Sequence, residues 1–98
     1  MKNVSLYLSD ASEILANSLT AAVQNVILKV TKIETTVSIS SVPITRGVSI
    51  ILHDFNLQPW KAATLVTALK LATYAVLGGK IPSNDIHVTM HGSVSTDL

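Results

Sequence analysis

The sequence predicts an α+β sandwich of the ferredoxin-like kind, with element order β-α-β-β-α-β, a four-stranded antiparallel sheet and both helices on one face. Three observations predict it. Segments at both ends of the chain alternate apolar and polar residues with period two. Two longer stretches carry helical periodicity with recognisable ends. No internal repeat and no linker divides the 98 residues, enough for one domain that buries roughly two thirds of its unfolded surface.

The strongest element is the stretch 57–79, LQPWKAATLVTALKLATYAVLGG. Pro59 suits a first helical turn, Asn56 is a candidate N-cap, and Gly78-Gly79 supplies a left-handed stop before Pro82. At 100° per residue, Ala62, Leu65, Leu69, Ala72 and Val76 share one face and form the expected core stripe. The opposite face, Trp60, Ala63, Thr67, Leu71 and Tyr74, has only Lys61 and Lys70 near its flanks, where a solvated helix normally shows several charges. Trp60, Leu71 and Tyr74 are therefore the candidate interface, because aromatic residues concentrate and charges are depleted at interface centres. The plainer alternative is that Trp60 tucks over the edge of the sheet.

In chain order, Asn3 to Ser9 reads as a first strand with Val4, Leu6 and Leu8 facing the core and Tyr7 facing away. Ser9 or Asp10 can cap the helix that follows, with Glu13 near the capping-box position. Leu15, Leu19, Ala22, Val23, Val26 and Val30 share its expected core face. Past Gln24 the β-branched run NVILKVTKI fits a helix or the start of a strand equally well. Ile33 to Ser40 alternates as a second strand, 41–47 (SVPITRG) connects, and Val48 to Phe55 is a more continuously apolar, central third strand. After a loop at 80–84, Ile86, Val88 and Met90 alternate with His87, Thr89 and His91 as the fourth strand, and 92–98 is a tail that frays or is used in a contact.

Composition narrows the function classes. Charged residues are 13% and apolar residues 48%, with Ser and Thr filling the gap, a surface suited to self-association or docking. The formal charge is +1 and the seven Lys and Arg are scattered singly, so no basic patch is expected. Tyr7 and the Arg46-Gly47 pair are loosely placed for RNA recognition, but Val48 and Ile50 stand where stacking aromatics are needed. Nucleic acid is not the expected partner. With no cysteine, disulfides, thiol catalysis and Cys-ligated metals are excluded. No signal-peptide core and no membrane span is expected, which makes the cytoplasm the default location. Asn3-Val4-Ser5 matches a glycosylation sequon by chance, and Gly78-Gly79-Lys80 lacks the remaining residues of a phosphate loop.

The chemistry-bearing candidates are Tyr7, His53, His87 and His91. His87 and His91 share a strand face, but four residues along a strand span roughly 13 Å, too far for one ion to reach both rings. No metal and no cofactor is expected. Asp54 cannot orient its neighbour His53, because adjacent strand residues point to opposite faces, and no serine stands in a nucleophile-elbow turn. In the expected topology His53 and His91 come towards one end of the sheet, separated by two strand spacings, roughly 10 Å. The leading expectation is a non-enzymatic module that self-associates or docks through the outer helix face or an edge strand, with no catalytic residue assigned. The alternative is a small-molecule- or metal-binding protein, with catalysis open, that uses the histidine-bearing sheet face.

Overall fold

A computed structural model describes residues 2–8, 13–41 and 47–91. The expected cap at Ser9 and Asp10, most of the 41–47 connection and the 92–98 tail lie outside the described residues. The elements are strand β1 (Lys2–Leu8), helix α1 (Glu13–Thr31), strand β2 (Thr35–Ser41), strand β3 (Val48–His53), helix α2 (Pro59–Val76), a short 3-10 turn (Ser83–Asp85) and strand β4 (Ile86–His91).

The sheet order is β2-β1-β3-β4. β1 pairs with β2 in parallel, β1 with β3 antiparallel, and β3 with β4 in parallel. This corrects the ferredoxin-like expectation of an antiparallel sheet. The relative strand directions are the same in both arrangements; the two edge strands have exchanged places. Each helix returns the chain beside the strand it left, giving two adjoining β-α-β units, whereas the split pattern carries the chain past a neighbour. Leu8 is paired with both Ser41 and Val48, so the end of β2 and the start of β3 lie on either side of β1, two strand spacings or roughly 10 Å apart. Gly47, just before β3, has a φ of 79°, and any Cβ there would run into the backbone carbonyl of Asp85.

One face of the sheet holds the core. Val4, Leu6 and Leu8 of β1 and Val48, Ile50 and Leu52 of β3 alternate inward against Ala16, Leu19, Val23 and Ile27 of α1 and Leu65 and Leu69 of α2, with Phe55 fully buried beneath the β3–α2 connection. The buried line of α2 runs Leu65, Leu69, Thr73, so the expected stripe is turned slightly: Ala62, Ala72 and Val76 are half-buried at its margin. In α1 the run after Gln24 stays helical because Ile27 is fully buried. The helix ends where Thr31 Oγ1 donates back to the Ile27 carbonyl at 2.7 Å and Lys32 turns to a φ of 62°. β3 stops two residues earlier than expected, at His53, because Asp54 adopts a φ of 58° and turns Phe55 into the core. Helix α2 is entered through Gln58 rather than Asn56, and Gly78 and Gly79, both with positive φ, close its C-terminus with bonds to Ala75 and Tyr74 carbonyls.

Candidate functional site on the open sheet face

The face of the sheet away from the helices carries the outward residues of every strand: Thr36, Ser38 and Ser40 of β2, Asn3, Ser5 and Tyr7 of β1, Ser49, Ile51 and His53 of β3, and His87, Thr89 and His91 of β4. It is a hydroxyl-rich surface with imidazoles on one side. At the end where β1 begins and β3 and β4 finish, three side chains converge. The Ser5 hydroxyl oxygen lies 2.8 Å from His53 Nε2. His53 and His91 occupy matching register positions on neighbouring parallel strands, with ring centres 6.0 Å apart and planes at 81°, edge to face. His53 is half-buried and His91 exposed, so both rings are reachable from solvent.

The exchange of edge strands decides this geometry. Placing β4 directly beside β3 brings His53 and His91 to within one strand spacing, in place of the two expected from the other order. The other two candidates are placed elsewhere. Tyr7 and His87 both stand opposite Ser49, one on each side of it, and are separated from each other by two strand spacings. Val48 and Ile50, weighed as stacking positions for RNA, face the core and are fully buried. Ser5 was not among the expected site residues. Its signal is the alternation that puts it on the Tyr7 face, but its diagonal contact with His53 depends on the β1–β3 register, which residue patterns do not state.

Proton chemistry suits this cluster. An imidazole holding a hydroxyl with one ring nitrogen has its orientation fixed and its other nitrogen free to accept or deliver a proton. The hydrogen-bond partner of His53 is Ser5 on another strand; the adjacent Asp54 is exposed beyond the strand end. Among the described residues no group of three or more His, Asp or Glu is arranged to hold a metal ion.

The second candidate surface is the outer side of α2. Trp60 is 62% exposed, Leu71 66% and Tyr74 42%, values that exclude a role in the core of the single chain. Trp60 does not tuck over the sheet: its Nε1 donates to Gln58 Oε1 at 2.7 Å, and Lys61 Nζ sits 5.4 Å from the ring centre. Leu71 lines two shallow grooves, one along Ala63, Thr67 and Ala68, the other with Lys70, Tyr74 and Pro82.

No family model matches the sequence, and the search of curated proteins returned no match. Solved structures do share its shape. A fused 4-OT described as a wild-type symmetric trimer is 12% identical with a TM-score of 0.77, covering 98% of this chain and 89% of that one. Malonate semialdehyde decarboxylase, described with decarboxylase and hydratase activities, is 13% identical with a TM-score of 0.72, covering 97% and 87%. The macrophage migration inhibitory factor of Toxoplasma gondii is 14% identical with a TM-score of 0.77, covering 98% and 93%. At such identities the likeness is one of fold, the 4-OT and migration-inhibitory-factor fold. It overturns the expectation of a non-enzymatic docking module, since the structures built this way include an enzyme. Among the described residues no helix is long and apolar enough to cross a membrane.

Proposed function

We propose that this chain is a small-molecule enzyme that moves protons on small oxo acids, with His53 as the proton carrier, and that it works as a homo-oligomer. The observation that carries the reading is the Ser5–His53 hydrogen bond beside the His91 ring at one end of an open sheet. With His53 Nε2–H donating to the Ser5 hydroxyl oxygen, the Nδ1 lone pair is the base. It takes a proton from a carbon next to a carbonyl; the C–H electron pair moves onto the carbonyl oxygen as an enolate, and Nδ1 returns the proton either to that carbon, which is exchange, or to the enolate oxygen, which gives the enol tautomer. Ser5 holds the ring in one tautomer. His91 stands beside it to hydrogen-bond the developing oxyanion.

The fold neighbours support the substrate class. One of them, Pt0534, was inactivated by 2-oxo-3-pentynoate, and another is a malonate semialdehyde decarboxylase, so both meet small oxo acids. The decarboxylase is also described with a variant in which proline at its first residue becomes alanine. β1 of this chain contains no proline, so a role for such a residue does not transfer, and the base is sought among its own side chains. Self-association is supported by the trimers of the 4-OT neighbours and by the apolar stripe of Trp60, Leu71 and Tyr74, the candidate contact.

The test is deuterium exchange into a panel of small 2-oxo and 3-oxo acids, followed by proton NMR alongside any decarboxylation or hydration. Exchange is expected with the parent, slowed about 100- to 10,000-fold in His53→Gln. A parent inert to the whole panel sinks the reading. An unimpaired His53→Gln variant moves the chemistry away from this cluster.

A further inference from the structure

The same pair of rings has a property that proton transfer does not use. We propose that His53 and His91 form a two-imidazole binding site for one divalent late first-row cation, of the Cu2+ or Zn2+ kind, on the open sheet face. The proposal stands on the geometry of the pair and goes beyond the catalytic reading.

Imidazole nitrogens bind such ions at about 2.0–2.1 Å, which places the centres of two rings sharing one ion roughly 5–6 Å apart. The His53 and His91 centres are 6.0 Å apart, so small rotations of side chains suffice to close on an ion. The backbone already holds them in register, His53 against His91 on parallel neighbours, so chelation orders two side chains and no loop. This is the cross-strand arrangement that the along-strand pair His87 and His91 cannot reach, being separated by roughly 13 Å.

Ser5 strengthens the assignment. Ligating histidines commonly donate their second ring N–H to an oxygen, which fixes the tautomer and turns the other nitrogen towards the ion. Ser5 Oγ stands 2.8 Å from His53 Nε2 and fits that role, leaving Nδ1 for the cation. His53 is half-buried and His91 exposed, so water can complete the coordination shell and little desolvation opposes binding. The donor set is neutral nitrogen, which selects Cu2+, Ni2+ and Zn2+ over Mg2+ and Ca2+. Since the cation takes the same lone pair as the proposed base, ion and substrate proton compete for it.

The experiment is calorimetric titration of the full chain with Cu2+, Zn2+ and Mg2+ salts in turn, with electron paramagnetic resonance of the Cu2+ form. One ion per chain is expected, with Cu2+ tighter than Zn2+, Mg2+ unbound, and a spectrum with two nitrogen ligands. Affinity should fall about 10- to 100-fold in Ser5→Ala and at least as far in His53→Ala and His91→Ala, and stay unchanged in His87→Ala. Circular dichroism verifies that each variant is folded. Unchanged affinity in His91→Ala, a loss in His87→Ala equal to that in His91→Ala, or one ion per two chains overturns the site. No substrate is present, so failure here leaves the proton-transfer reading standing, and failure of turnover leaves the binding result standing.

Discussion

Two faces of this small domain are left uncovered by the described residues, and they differ in kind. The open sheet face is lined by hydroxyls and imidazoles on four strands, with hydrogen bonding across strands as at Ser5 and His53. The outer face of α2 shows Trp60, Leu71 and Tyr74 among small residues, with polar contacts that stay local, such as Trp60 to Gln58 and Thr64 to the Trp60 carbonyl. Polar groups placed at fixed register by a rigid sheet can do chemistry. An apolar stripe on a single helix has little chemistry to offer and gains free energy only by being covered. On the proposed reading the first face therefore serves turnover and the second contact between copies.

That division breaks first at the histidines. Within the sheet face His53 is assigned the chemistry and His87, beside Ser49 at the other level, is not. His53→Gln should reduce exchange by about 100- to 10,000-fold while His87→Gln leaves it within about twofold. Equal losses would make the whole sheet face the site and not its end.

The two sides of α2 give the next contrast. Leu69 is fully buried and Leu71 two-thirds exposed, so Leu69→Ala should cost about 2–5 kcal/mol, and Leu71→Ala about 0.5 kcal/mol or less in a single chain. Denaturant melts at concentrations that exclude oligomers measure both, and similar losses would refute the helix faces. Replacing Leu71 and Tyr74 together by Glu should leave circular dichroism unchanged and lower the mass seen by light scattering, because like charges then meet in a desolvated contact. A mass that holds would move the contact to the sheet face or to an edge strand.

The comparison also shows what residue patterns can and cannot carry. The alternation of Val4, Leu6 and Leu8, and the 3.6 period through Leu65 and Leu69, mark which side of each element is buried, because burial acts on every residue of the face. Strand order is different in nature. Exchanging β2 and β4 leaves the strand directions and the central β1–β3 pair unaltered, so the two topologies write nearly the same pattern into the chain. The only local trace is 41–47, which contains Pro43 and no two-residue hairpin signal. Because the His53–His91 contact exists only in one of the two orders, residue patterns that mark both histidines still do not reveal that they meet. Ser5 is hidden for a further reason: one serine among many is distinguished only by register.

The smallest expected effect tests the buried side of α2 from within. Thr73 is fully buried on the line from Leu65 and Leu69, and its hydroxyl has no hydrogen-bond partner among the described residues. A buried hydroxyl without a partner costs roughly 1–3 kcal/mol, and valine has nearly the same shape without the polar atom. The helix propensities of Thr and Val are close, so backbone preference does not confuse the comparison. Thr73→Val should therefore stabilise the single chain by about 1 kcal/mol, which for a domain of this size raises Tm by roughly 4–8 °C. Thr35, whose hydroxyl is also unpartnered but which retains 6% exposure at the start of edge strand β2, should gain less when changed to valine. If Thr73→Val lowers Tm instead, the hydroxyl has found a partner in solution, such as a bound water, and the interior beneath α2 is more polar than the row of leucines around it suggests.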